Sequence, residues 1–211
     1  MKSITIAVLG GTGKAGTYLV KQLQAQGFSL KLLLRHPDHY QNDHPDTEVV
    51  AGDARNDASI RSLLTGCEAV ISTLGQPKGE PPIFREATQL LLKAMPDYGI
   101  RRYIAVTGLQ VDTPADKKGN ATQTATNWMK TNFPAICTDR QREYELLTQS
   151  DLDWTLVRLP MIEQTEARFP IQVSTEDAPG QKISATDLAH FLINQLKDDT
   201  HIQQSPFISN V

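Results

Sequence analysis

Two cysteines, Cys67 and Cys137, are all that the 211 residues contain. They stand too far apart for a CxxC redox or metal motif and are too few for a disulfide framework, so a reducing, cytoplasmic setting is expected. Long apolar runs are missing as well. The stretches at residues 4–9 and 69–71 are strand-sized, far short of the ~20 residues that a membrane helix needs. No secretory leader is expected either, because a single lysine is followed at once by a short apolar strand and glycines. Positive charge is not in excess: 21 Lys and Arg against 24 Asp and Glu leave a net charge of -3, which offers no broad basic field to nucleic acid. What remains is an ordinary soluble composition, 39% hydrophobic and 21% charged. A chain of this length buries one substantial core and leaves little room for a separate substrate domain. One domain over residues 1–211 is expected, with a small molecule as its partner. Composition leaves monomer and homodimer equally open.

The hydrophobic pattern alternates short continuous runs with helical spacing. ITIAVL (residues 4–9) reads as a buried strand, and TYLVKQLQAQG (17–27) as the amphipathic helix behind it, stopped by Gly27. Further strands are expected at 29–35, 47–52, 67–75, 101–108 and 153–160, the last stopped by Pro160. Helices are expected at 56–66, capped by Asn56 or Asp57 and ended by Gly66, then at 84–100, 139–150 and 184–199. In the last of these Ser184 suits the cap and Asp187 the positive helix end. PFISNV, at 206–211, is expected to close a sheet edge. Strands alternating with helices require crossovers, which bury a parallel sheet between helical layers. The expected fold is therefore doubly wound α/β. Residues 110–136 and 161–182, rich in Thr, Pro, Asp and Gly, interrupt the rhythm after strands and are read as substrate-side loops.

The first strand runs into GGTGKAG, residues 10–16. Gly11, Gly13 and Gly16 satisfy GxGxxG, while Gly10, Gly13 and Gly16 satisfy GxxGxxG, so spacing alone leaves open which glycine begins the turn. In both readings the missing Cβ atoms allow a tight turn, a close approach to a pyrophosphate and close helix packing. The helix N-terminus offers free N–H groups and a positive dipole end, with the Thr12 hydroxyl, the Lys14 ammonium and the backbone at Ala15 beside them. The position between strand and helix makes dinucleotide binding the expected role.

Cofactor choice is expected at the end of the second strand, where an acid would hydrogen-bond the ribose of NAD and an arginine accommodates the 2′-phosphate of NADP. Arg35 stands there, followed by His36, with no acid before Asp38. NADP(H) is expected over NAD(H). Asp53, next to Ala54 in AGDARND, is a candidate for the adenine amino group or simply begins a turn. Thr73, Leu74 and Gly75, ending the fourth strand, are expected beneath the ribose and nicotinamide.

GGTGKAG, the Arg35 strand end, AGDARND, ISTLG, EYELLTQSDLDWTLVRLP and ISATDLAHFL together resemble the atypical short-chain dehydrogenase/reductases. Within that group the likeness is closest to NmrA-like and biliverdin reductase B (flavin reductase)-like proteins, and it covers nearly the whole chain. The glycine motif is shared by many nucleotide-binding proteins, whereas SDLDWTLVRLP followed by ISATDLAHF is much more specific. The resemblance implies a single NAD(P)H-binding Rossmann domain, members that reduce flavins, biliverdin or quinones, and relatives that sense redox state without known turnover. It also sets Arg158, Pro160 and Met161 where the family wraps backbone around the nicotinamide.

The tyrosine and lysine of ordinary members, spaced YxxxK so that the cation lowers the phenol pKa, are missing. Tyr18 is followed four residues on by Gln22, Tyr98 by Arg102, Tyr103 by Thr107 and Tyr144 by Thr148. The serine that flavin reductase-like relatives carry after the fifth strand is missing too, with Thr107 and Gly108 in its place. Thr107, Arg142 and Tyr144 are the remaining candidates for substrate-side chemistry. Hydride transfer to an electron-poor ring needs less from the protein than alcohol oxidation does. An NADPH-dependent reductase of a planar acceptor, a flavin or a quinone, is therefore the expected function, with a non-catalytic NADP(H) sensor as its rival. A sugar-nucleotide epimerase ranks last, since it needs YxxxK and a larger C-terminal domain. No metal is expected: His36, His39 and His44, with Asp38, Asp43 and Asp46, lie in a proline-containing loop without diagnostic spacing. His190 reads as a packed helix residue.

Overall fold

In the computed structural model residues 4–211 are described; Lys2, the one lysine ahead of the first strand, lies outside them. The first half of the chain gives β1 (Thr5–Leu9), α1 (Gly16–Ala25), β2 (Ser29–Leu34), β3 (Thr47–Ala51), α2 (Asp57–Leu64), β4 (Ala69–Ser72), α3 (Phe84–Ala94) and β5 (Arg102–Gly108). The second half adds α4 (Asn120–Asn132), α5 (Pro134–Thr148), β6 (Asp153–Leu159), β7 (Met161–Glu163), β8 (Ile171–Ser174), β9 (Lys182–Ser184), α6 (Ala185–Asn194) and β10 (Phe207–Asn210).

Eight strands form one sheet in the order β3-β2-β1-β4-β5-β6-β10-β8. Pairing is parallel throughout, with Val8 opposite Leu32 and Ile71, and Thr107 opposite Arg158. The exception is β10 against β8, which is antiparallel and sets Ile208 opposite Val173. The doubly wound α/β class is thus observed, as a mostly parallel sheet with one antiparallel edge. Alternate strand residues feed two cores. Ile6, Val8, Leu32 and Val157 pack beneath α1 and α6 on one face, and Ala7, Leu9, Val70 and Leu156 beneath α2, α3 and α5 on the other. A sheet covered on both faces needs strands that are apolar at every position, which is why the sequence shows continuous runs.

Local chemistry sets most element ends. The Asn56 side chain accepts from the Ser59 N–H at 2.9 Å and starts α2, and the Ser184 hydroxyl accepts from the Asp187 N–H at 3.4 Å and starts α6. Pro134 opens α5, where its missing N–H costs nothing. That makes α5 start five residues ahead of the expected 139. Pro96 ends α3 early for the converse reason, turning the rest of the expected 84–100 helix into a short 3-10 segment, Met95–Tyr98.

Both stretches read as loops are corrected. Residues 110–136 contain α4, whose sequence NATQTATNWMKTN is rich in Thr and Asn and whose buried residues are Thr122 and Thr126, while Trp128 is exposed. Residues 161–182 contribute β7 and β8. The C-terminal strand does not close the sheet: β10 lies between β6 and β8, and β8 is the edge. A four-residue edge strand, half open to solvent, has no continuous apolar run to announce it.

Candidate functional site

The strand order reverses between β1 and β4, and in open α/β sheets the ligand crevice forms outside the carboxyl ends of the strands at that point. A cleft of about 400 Å³ lies there. The turn after β1 contributes Gly10, Thr12 and Gly13, and the segment after β2 contributes Arg35, His36, His39 and Tyr40. Gly52 and Ala54 follow β3, and Leu74, Gly75, Gln76 and Pro77 follow β4.

The turn itself answers which glycine begins it. Gly10 has φ +75°, a left-handed conformation, and its carbonyl accepts from the Gly13 N–H at 3.0 Å. A Cβ on Gly10 would lie 2.6 Å from the Thr73 carbonyl carbon. A Cβ on Gly16, the first residue of α1, would overlap the Gly10 carbonyl oxygen. The operative spacing is therefore Gly10, Gly13, Gly16, while Gly11 is buried under Val20. Thr73 ties the next strand to this turn, its hydroxyl donating to the carbonyls of Leu9 and Gly10 at 3.2 Å each.

Of the other expected residues, Lys14 is exposed beside the turn and Ala15 is buried against the core. The Asp53 carboxylate accepts from the Arg55 N–H at 2.8 Å, closing a turn after β3. Thr107 is buried at the end of β5, its Oγ1 without a hydrogen-bond partner. Pro160 is buried and Met161 exposed, and neither lines the cleft. Arg142 and Tyr144 are not brought to it either. Arg142 lines a second cleft of about 340 Å³ between α5 and the segment after β5, and Tyr144 packs edge-on against Trp154 at 6.2 Å. Among the described residues no three His, Cys, Asp or Glu side chains gather as metal ligands would.

Three charged groups that sequence reasoning missed, Arg140, Arg55 and Glu80, hold the site together. Arg140 of α5 is buried and donates to the carbonyls of Val106 and Leu74, both at 2.9 Å, and to Glu143 at 2.8 Å, with its guanidinium 3.3 Å over the Phe84 ring. It thereby joins the ends of β4 and β5. Its signal was phase: Arg140 and Glu143 fall in step with buried Cys137 and Leu147 along the helix. Arg55, directly behind the expected Ala54, reaches Glu80 at 2.9 Å, and Arg35 reaches the same carboxylate at 2.7 Å. These two guanidinium groups hold the Glu80 carboxyl below its ordinary range. Beyond β5, Arg158 donates to Asp116 at 2.5 Å and to the Ser205 and Thr175 carbonyls. It pins the segment walling the second cleft.

The lining fits an elongated, doubly anionic ligand. The turn is bare where a Cβ on Gly13 would meet only the Gly10 carbonyl, at 3.3 Å, a helix N-terminus stands behind it, and Arg35 lines the cleft, joined through Glu80 to Arg55. Both thiols lie outside this cleft. Burial pushes Cys67 up to about 11 and raises Cys137 as well. The native protein is accordingly expected to react slowly with a disulfide reagent at pH 8, with both thiols titrating at once in denaturant; rapid reaction of the folded chain would contradict this.

Comparison with known proteins fits the cleft. A family model described as NAD(P)H-binding matches residues 10–199. A short-chain dehydrogenase/reductase from Veillonella parvula DSM 2008, solved in complex with NADP, has a TM-score of 0.81 at 17% identity, covering 99% of this chain and 95% of that one. ChuY, an anaerobilin reductase from Escherichia coli O157:H7, has a TM-score of 0.78 at 18% identity, covering 98% and 97%. At such identities the likeness is one of fold. Cinnamoyl-CoA reductase 1 of Oryza sativa subsp. japonica is 26% identical over 110 residues, 47% of this chain. That match takes in only 32% of the rice protein's length. Among the described residues no helix is long and apolar enough to cross a membrane.

Proposed function

Because the chain belongs to the NAD(P)H-binding family, whose model spans residues 10–199, we propose that it is an NADPH-dependent reductase of a small planar acceptor such as a flavin or a quinone. The observation that carries the cofactor preference is Arg35, in the cleft lining at the end of β2, sharing the Glu80 carboxylate with Arg55. Guanidinium forks suit a phosphate dianion, and an unphosphorylated ribose offers them no anion to take the place of Glu80. The same reading takes residues 1–211 as one NAD(P)-binding unit, in a reducing compartment that suits two free thiols.

Bound NADPH supplies the hydride. The backbone from Gly10 to Gly16 and the α1 N-terminus receive the pyrophosphate, and Arg35 receives the 2′-phosphate. Arg140, by holding the Leu74 and Val106 carbonyls, keeps the floor of the cleft in one position. Thr107 offers its unpartnered hydroxyl to the carboxamide or to the acceptor. Neither Tyr103 nor Tyr144 is arranged as a proton donor here. The Tyr103 phenol is fully buried against Thr88, and burial raises its pKa further, while Tyr144 packs edge-on against Trp154. Solvent protonation of a reduced flavin or quinone is compatible with that set of residues, which argues against alcohol oxidation more than against reduction in general.

Fluorescence titration with NADPH and NADH, followed by oxidation assays with flavins and quinones, tests this reading. NADPH is expected to bind more tightly, and Arg35→Asp to invert the preference with a loss of about 1.5–3 kcal/mol for NADPH. Tighter NADH binding by the wild-type chain would overturn the assignment. Tight NADPH binding with no oxidation by any acceptor would instead assign the non-catalytic sensor role.

A further inference from the structure

Glu80 comes from the segment between β4 and α3, a loop closed on itself by Gln76, whose Nε2 donates to the carbonyls of Pro77 at 2.9 Å and Glu80 at 2.8 Å. This compact loop brings the Glu80 carboxylate to Arg35, which lines the cleft. There one oxygen accepts from Arg35 Nη1 at 2.7 Å and the other from Arg55 Nη1 at 2.9 Å, while Arg55 Nη2 donates to the Pro81 carbonyl at 2.9 Å. Loops after three different strands, β2, β3 and β4, thus meet on one carboxylate. All three side chains keep partial access to solvent, with 40% of Arg35, 38% of Glu80 and 23% of Arg55 exposed. Exposed ion pairs of this kind are weak and exchange readily for a stronger anion.

Resting on the NADPH preference argued above, we propose that Glu80 is an internal stand-in for the cofactor 2′-phosphate, and that Arg55 is the second ligand of that phosphate. Binding of NADPH displaces the Glu80 carboxylate from both arginines and frees the loop at 76–82. A carboxylate and a phosphate present the same type of acceptor to a guanidinium, but the phosphate brings more acceptor oxygens and more charge. NADH brings nothing to this position, so Glu80 stays on its arginines when NADH binds. The latch therefore weakens NADPH binding without touching NADH binding, and couples the loop at the cleft mouth to the phosphorylated cofactor alone. It also keeps Arg35 and Arg55 at the spacing of two oxygens on one anion before any cofactor arrives.

The test uses the full chain with NADPH and NADH as probes. Glu80→Gln is expected to tighten NADPH about threefold to tenfold, and Arg55→Gln to weaken it by a similar factor, with NADH changed less than twofold in both. Hydrogen exchange separates displacement from mere charge removal: the amides of Gln76, Lys78, Gly79 and Glu80 are expected to exchange faster with NADPH bound than with NADH bound. If the wild-type chain prefers NADPH but neither variant alters its binding, the phosphate is read by Arg35 alone and the latch is refuted, leaving the cofactor assignment intact. Unchanged or slower exchange of the loop with NADPH would refute displacement. A wild-type chain without NADPH preference would overturn the cofactor assignment and the latch with it.

Discussion

Replacing Arg140 by methionine is expected to lower the stability of the fold by about 3–5 kcal/mol, the usual consequence of stranding one partner of a buried ion pair. Glu143 is 2% exposed and would keep only the Thr88 hydroxyl, at 3.1 Å, as a partner. The carbonyls of Leu74 and Val106 would lose their donor, and Phe84 the cation over its ring. Denaturant unfolding measures the loss. Arg140→Met combined with Glu143→Leu is expected to recover most of it, because a buried ion pair exchanged for apolar side chains of similar volume is often close to neutral. NADPH binding should not recover with it, since the Leu74 carbonyl at the cleft floor remains untethered. A double variant as unstable as the single one would show that the carbonyl contacts, and not the stranded carboxylate, dominate.

Gly16→Ala is expected to remove cofactor binding most directly, weakening NADPH at least tenfold, or about 1.4 kcal/mol. The added methyl would meet the Gly10 carbonyl oxygen and the Gly11 Cα, the latter at 2.8 Å, and both are backbone atoms with no rotamer to escape into. Relief requires α1 to move away from the turn that it presses on. A stability cost of about 1–3 kcal/mol should accompany the lost binding, as for other insertions into tightly packed sites. Titration of the folded variant with NADPH, alongside its thermal unfolding, separates the two effects. Wild-type affinity in a folded Gly16→Ala chain would show that this turn is not the pyrophosphate cradle.

Residues close in sequence carry the features that could be read without coordinates. A strand buried on both faces has to be apolar along its whole length, so β1, β2 and β5 are visible as TIAVL, SLKLLL and RYIAVTG apart from a residue or two at their ends. A turn that must pass under a helix has to lack side chains, so Gly10, Gly13 and Gly16 announce it. Segments that owe their structure to distant partners are not visible in this way. Helix α4 buries threonines and rests on contacts such as Thr126 with the Leu109 carbonyl at 3.1 Å, and the edge strand β8 exists through its pairing with β10.

The candidate site divides along the same line. Local sequence by itself determined the strand–glycine turn–helix unit and a cation at the end of β2, because each depends on residues within a few positions of one another. Tertiary structure alone decided that Arg35 meets Arg55 across Glu80, that Arg140 spans the ends of β4 and β5, and that Arg142 faces another cleft. Those contacts join residues separated by 45, 25, 34 and 66 positions. Charged side chains find such partners only once the sheet has brought the loops together, and no periodicity in the chain records it.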